Sequence, residues 1–361
     1  MATEISVETR KVLVVGATGK QGRAFIRSLI FSPPNHNAAS STAEAPVNWQ
    51  VLALTRNPSA AAAQALLDEA DRHNAKERVT LVGADIDSSD SVRAVFEQAG
   101  KIWGVFMVLP YPGLGAPPTE NEVTQGKMIA KLAHEFGVEL FMYSSAITVS
   151  AKVDSYRDHS RRQKREVELY IENDLGPLGL PWIIIRPGFF FENLEGFQGS
   201  IGVTLYRDGL KEDTTIAMIA SDDIGRLVAG LFNNHKPYVH KHFNVTSGPV
   251  TMHEVIEAHQ RATGKPMPAV PSVVGWFVRT MNRGIQNLME ESEINHRARV
   301  SGDLATFDED MELAKSICHL RSYEEWKRDQ LKEEKDAQKE LDDNSRGWNN
   351  VSLVKIFTGR S

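Results

Sequence analysis

Residues Lys11–Gly22, KVLVVGATGKQG, decide the fold. A compact apolar run from Val12 to Val15 halts at Gly16, and glycine recurs at Gly19 and Gly22. A helical pattern then begins at Arg23, with Phe25, Ile26, Leu29 and Ile30 on one face. Glycines at such a strand-to-helix junction allow a tight turn, let the backbone approach a pyrophosphate and let helix pack closely on strand, while the first helical amides face the anion. Thr18 followed three residues later by Gln21 reads as a capping box that starts the helix there. The spacing Gly-x-x-Gly-x-x-Gly is a variant of the more usual Gly-x-Gly-x-x-Gly, so its context carries the weight. A strand before it, an amphipathic helix after it and a second apolar strand, Val51–Leu54, make a βαβ unit.

Outward from that unit, strands are expected near 12–16, 49–55, 78–82, 103–109, 139–144 and 182–186, with helices between them. This alternation specifies an α/β fold, a Rossmann-type doubly wound parallel sheet whose ligands sit at the carboxyl ends of the strands. After Asn193 the alternation weakens. Thr214–Ala220 reads as a strand, Asp222–Phe232 as a helix, His242–Val245 as a strand and Met252–Ala262 as a helix ended by Gly264. Val273–Glu291, with Val274, Trp276, Phe277 and Met281, reads as a packed or lid-forming helix. The expected organisation is therefore a dinucleotide-binding domain over residues 1–193 and a smaller C-terminal α+β lobe on the substrate side over 194–326, interleaved with the first. A charged helical tail follows over 327–361. Ser32–Asn48 reads as a mobile surface insertion, and Tyr111–Pro118 follows the fourth strand at the expected cleft.

Composition narrows the function classes. The chain of 361 residues is 41% apolar with a net charge of −6, and has no lysine- or arginine-rich block, which excludes direct nucleic-acid binding. The lone Cys318 excludes an intrachain disulfide and a cysteine-pair metal site. No run approaches a membrane span, so a soluble cytoplasmic or nuclear protein without membrane contact is expected. His235, His240, His242 and His253 lie close in sequence, but no carboxylate or cysteine at ligand spacing completes a set, and no metal is expected.

The second strand ends in Leu54-Thr55-Arg56-Asn57-Pro58. A free ribose 2′-hydroxyl is usually held at this point by Asp or Glu, whereas a 2′-phosphate needs a cation. Arg56 supplies one in planar, bidentate form, and Lys20 offers a second, so NADP(H) is favoured over NAD(H). Asp85 either accepts from the adenine amino group or caps the helix that starts near Ser88. Ile86 beside it, and Pro110 after the fourth strand, complete the cofactor positions on this side.

The motifs GATGKQG, TRNP, YSSA, KREVELY, RPGFFFENL, SDDIG and YEEW occur in that order. Together they resemble the NmrA-like branch of the atypical short-chain dehydrogenases, from about Lys11 to Trp326. The resemblance implies a pyrophosphate site at Gly16, Ala17, Thr18, Gly19, Lys20, Gln21 and Gly22 and a 2′-phosphate site at Arg56. It places Lys164 on the nicotinamide ribose and Phe190, Phe191, Glu192 and Asn193 beside the nicotinamide. Ser144 would orient the amide or polarise a carbonyl substrate. In active short-chain dehydrogenases a tyrosine precedes the lysine by four residues; here that place is Ser160, with Tyr156 farther upstream and Tyr143 on a strand. Two functions follow from the resemblance. The first is an NADP(H)-binding redox sensor or regulator that acts through a protein partner. The alternative is an NADPH-dependent oxidoreductase of a small carbonyl, quinone or enone, in which Lys164 or a water held by Ser144 gives the proton.

Overall fold

Burial alternates along the first strand: Val12 and Val14 pack on one face of the sheet, Leu13 and Val15 on the other, and all four are almost fully buried. Only a strand sandwiched between two helical layers buries successive residues on both sides. The computed structural model describes residues 7–31, 47–110, 121–147, 159–304 and 306–349. Most of the Ser32–Asn48 insertion, the Tyr111–Pro118 stretch, Tyr156 and the last twelve residues lie outside them.

The first half runs β1 (Glu8–Val15), α1 (Lys20–Ile26), β2 (Val47–Thr55), α2 (Ala61–Arg72), β3 (Val79–Gly83), α3 (Ser89–Ala99), β4 (Gly104–Val108), α4 (Asn121–Glu135), β5 (Leu140–Ser144), α5 (His159–Leu169) and β6 (Trp182–Pro187). The second half runs β7 (Phe189–Phe190), α6 (Gly196–Gly209), β8 (Thr215–Ile219), α7 (Ser221–Asn233), β9 (Lys241–Val245), β10 (Gly248–Thr251), α8 (Met252–Thr263), α9 (Ser272–Met281), α10 (Arg283–Val300), α11 (Phe307–Ile317) and α12 (Tyr323–Asn349). A seven-stranded sheet in the order β3-β2-β1-β4-β5-β6-β9 carries the core, with every neighbouring pair parallel. The order reverses between β1 and β4, which opens a crevice at their carboxyl ends. A second, three-stranded sheet has the order β10-β8-β7. The chain thus leaves the large sheet after β6 and returns to its edge with β9.

One helical layer sets Phe25 of α1 against Phe106 and Phe232, with ring centroids 5.1 and 4.9 Å apart. Helix α7 can come this close to α1 because of Gly225. A Cβ there would lie 2.3 Å from the Ala24 carbonyl carbon. Beside it Asp223, fully buried, accepts from the Arg321 backbone N–H at 2.6 Å and from the Arg226 and Arg321 guanidiniums. The SDDIG and YEEW regions therefore lock each other, and Trp326 is sealed against Phe191 in a separate apolar cluster.

Three expectations change. Thr18 does not cap α1: the N-cap is Gly19, which has no side chain to cap with, and the Gln21 side-chain oxygen accepts instead from Ser144. Val273–Glu291 is two helices, broken at Asn282, whose side chain accepts from the Ile285 N–H at 3.2 Å. The apolar side chains of the first of these are not packed; Trp276 and Phe277 are more than half exposed. Among the described residues no helix is long and apolar enough to cross a membrane.

Candidate functional site

The glycine turn builds one end of the crevice. Gly16 has φ +80°, and a Cβ on it would meet the Val108 carbonyl oxygen of β4 at 2.5 Å, so the turn crosses directly over the switch point. A Cβ on Gly22 would lie 2.3 Å from the Gly16 oxygen, which is the close approach of helix to strand that the motif requires. The turn is fastened by Gly19 N–H donating to Gly16 O at 3.0 Å, and Ala17 is buried beneath it while Gly19 and Lys20 are exposed. Lys20 does not turn toward Arg56; its Nζ donates to Asn193 Oδ1 at 3.4 Å and so bridges the turn to the RPGFFFENL segment.

Arg56 stands exposed at the carboxyl end of β2, and among the described residues no carboxylate pairs with it. Asp85 is exposed beyond β3 and accepts the Asp87 N–H at 3.1 Å in a local turn. The helix cap proposed for it belongs to Ser88, whose hydroxyl accepts from the Ser91 N–H. Ile86 is buried in the sheet's outer layer and Pro110 is exposed.

The other end is assembled from β5, α4 and α5. Ser144 is 1% exposed, and its hydroxyl donates to Gln21 Oε1 at 2.7 Å. It thereby ties β5 to the glycine turn. The next hydroxyl, Ser145, is buried with no hydrogen-bond partner among the described residues. Lys164 Nζ donates to Glu122 Oε1 at 2.5 Å; the two side chains are only 12% and 6% exposed. The second oxygen of Glu122 has no partner among the described residues. Tyr143 lies fully buried with its phenol unpartnered among the described residues, and burial together with the Glu122 and Glu168 charges pushes its pKa well above the ordinary value, which keeps the proton on it. Glu122 escaped the sequence reading. It is one carboxylate in a polar helix start, and nothing local marks it out.

The RPGFFFENL segment divides its labour. Arg186 grips the fully buried Glu168 through two nitrogens at 3.1 and 2.7 Å, tying β6 to α5. Phe190 is half-buried and Asn193 exposed. The ring of Phe191 is fully buried against Tyr323 and Trp326, so it offers no surface to a nicotinamide. Glu192 is likewise committed, accepting from the Ser221 N–H and hydroxyl at 2.8 and 2.6 Å at the start of α7.

The histidines do gather carboxylates, from a segment the sequence reading did not connect to them. His242 meets Glu172 at 2.9 Å, with Glu168 in the same cluster, yet Arg165 and Arg186 already neutralise those carboxylates. The cluster is an ion-pair network, and the rings of His240 and His242 rest on Trp182. Burial pushes the Cys318 thiol up to about 12, which leaves no thiolate nucleophile there.

Fold and cleft together define a parallel α/β protein with a glycine turn at its switch point, the architecture of a dinucleotide-binding protein. The chain belongs to the NmrA-like family, whose model matches residues 8–333. It is 30% identical over 293 residues to the NmrA-like family domain-containing oxidoreductase notA of Aspergillus sp. (strain MF297-2), covering 74% of this chain and 77% of that protein. It is 27% identical over 303 residues to the oxidoreductase ptmS of Penicillium ochrochloron, covering 78% and 82%. Among solved structures, a double mutant of NmrA superposes with a TM-score of 0.60 at 19% identity, over 89% of this chain and 95% of that one. An NADPH-dependent quinone oxidoreductase from Escherichia coli, complexed with NADPH, superposes with a TM-score of 0.58 at 18% identity, over 89% and 99%.

Proposed function

We propose that the protein binds NADP(H) and is an NADPH-dependent oxidoreductase of a small carbonyl, quinone or conjugated-alkene substrate. The observation that carries the cofactor choice is Arg56, an exposed guanidinium without a counter-charge among the described residues, where a 2′-phosphate needs a cation. The glycine turn fits the same cofactor. Its backbone is bare where a side chain would otherwise stand, and Gly16–Gly22 would hold the pyrophosphate. When bound, NADPH supplies the hydride.

The chain's own part is positioning and proton management. Lys164, paired with Glu122 at 2.5 Å, sets a positive charge at the end of the cleft where a reduced substrate gains negative charge. It is also the protonated group offered there in place of the missing phenol, since Tyr143 is sealed in the core. General acid help of this kind contributes roughly 100- to 10,000-fold. The named oxidoreductase relatives support this reading.

The test is NADPH oxidation against a panel of quinones, aldehydes and enones. The expected result is saturable turnover above ~1 s⁻¹, the low end of common enzyme values, lost in Lys164→Ala at saturating cofactor. Tight NADPH binding with no turnover across the panel would contradict it.

That outcome belongs to a second reading, a cofactor-state sensor acting through a protein partner. Its motivation is Ser160 in the tyrosine position together with a lysine already engaged by a buried carboxylate. Here cofactor binding would change hydrogen-exchange protection around 145–159 without chemistry, because a conformational response requires differential contacts.

A further inference from the structure

Helix α9 carries its apolar stripe on the wrong side for a globular protein. Val273, Trp276, Phe277 and Met281 fall on one helical face and are 68%, 59%, 58% and 71% exposed. The opposite face is the packed one: Gly275 is buried against Thr204 of α6, where a Cβ would lie 2.7 Å from the threonine methyl. The orientation is anchored at the helix start, with Arg207 donating to the Ser272 hydroxyl at 3.1 Å and the Val270 N–H to Ser200 O at 3.3 Å. A soluble monomer seldom leaves two neighbouring aromatics and two long aliphatics contiguous in water.

The charge around this face has one sign. From Ala262 to Met289 the chain holds Lys265, Arg279 and Arg283 and no Asp or Glu, although its overall net charge is −6. Arg283 and Lys265 are exposed. On the packed side of α9, Arg279 lies against Gly209 of α6, and the neighbouring Asp208 is paired with Arg207 at 2.7 Å. Aromatic and aliphatic side chains flanked by cations are the chemistry that seats a helix in the headgroup region of an anionic bilayer. A second copy of the chain fits less well, because a twofold contact across α9 would bring the same cations face to face.

We propose that the Val273–Trp276–Phe277–Met281 face of α9 docks on an anionic membrane surface, with Lys265 and Arg283 on the headgroups. Docking is peripheral, and it is independent of the oxidoreductase reading, since α9 contributes no residue to the cofactor site. It revises the expectation of no membrane contact, which rested on the absence of a spanning segment.

The test is flotation of the full chain with vesicles of phosphatidylcholine alone and with 30% phosphatidylserine, ~0.3 by mole fraction, in low and high salt. Binding is expected only to the anionic vesicles, weakened by salt. Brominated acyl chains should quench the native protein's fluorescence, and Trp276→Phe should remove most of that quenching. Trp276→Ser combined with Phe277→Ser should cut binding by about tenfold or more, as should Lys265→Glu with Arg283→Glu. NADPH affinity should stay unchanged in these variants, showing an intact fold. No binding to anionic vesicles in low salt would overturn the proposal. So would a concentration-dependent dimer in sedimentation that the Trp276 and Phe277 substitutions dissolve.

Discussion

The two ends of the crevice are built by different means. At the glycine turn the work is done by backbone: a Cβ on Gly22 would lie 2.3 Å from the Gly16 oxygen, and one on Gly16 would lie 2.5 Å from the Val108 oxygen of β4. At the lysine end it is done by long side chains from separate elements, with Lys164 and Glu122 forty-two residues apart in sequence and both nearly sealed from water. The difference teaches that the cofactor end follows from local steric rules, while the chemical end depends on a buried charge pair that only the tertiary fold brings together.

The sharpest way to break this comparison is to remove the charge partner. Glu122→Ala leaves the Lys164 ammonium buried without a counter-charge, and should destabilise the fold by about 3–5 kcal/mol, read by urea unfolding. A loss below ~1 kcal/mol, the scale of an exposed ion pair, would mean that the pair is not what holds this end. At the opposite end Gly22→Ala forces a Cβ to within 2.3 Å of the Gly16 oxygen. It should cost about 1–3 kcal/mol and weaken NADPH binding far more than Glu122→Gln does. If Gly22→Ala binds cofactor normally, the close approach of α1 to β1 is not required.

The smallest expected effect is on the pH dependence of stability. Burial acts to raise the Glu172 pKa, but hydrogen bonds from His242 and Arg165 outweigh it and leave the carboxyl below its ordinary 4.5. A depressed carboxylate binds fewer protons folded than unfolded. Its contribution is therefore complete above pH 4.5 and fades as pH falls through the lower folded value. Glu172→Gln should flatten the acid limb of a stability-against-pH curve and leave the Gly22 end untouched. An unchanged acid limb would remove Glu172 from that balance.

The same contrast explains what the sequence could reveal. The strands up to β6 are legible because each is a short apolar run bounded by turn residues, and β1 declares its ligand through the glycines that follow it. The place of Arg56 at the end of β2 is legible, and in this fold a cation there suits a 2′-phosphate. Glu122 is not, since nothing within its own helix distinguishes a glutamate that will be buried against a distant lysine. Thr18 misled because a capping box is a local rule, and Ser144 competed for Gln21 from across the sheet. The apolar stripe of α9 was visible as a period, but a period does not say which face meets the core.

The central claim, a cleft whose phosphate end is ready for NADP(H), is tested most directly by calorimetric titration of the native protein and Arg56→Glu with NADPH and NADH. The account predicts that the native protein prefers NADPH by at least about tenfold, the equivalent of one charge-assisted hydrogen bond, and that Arg56→Glu reverses the order. Equal affinity of the native protein for the two cofactors, or an unchanged preference in the variant, would contradict it.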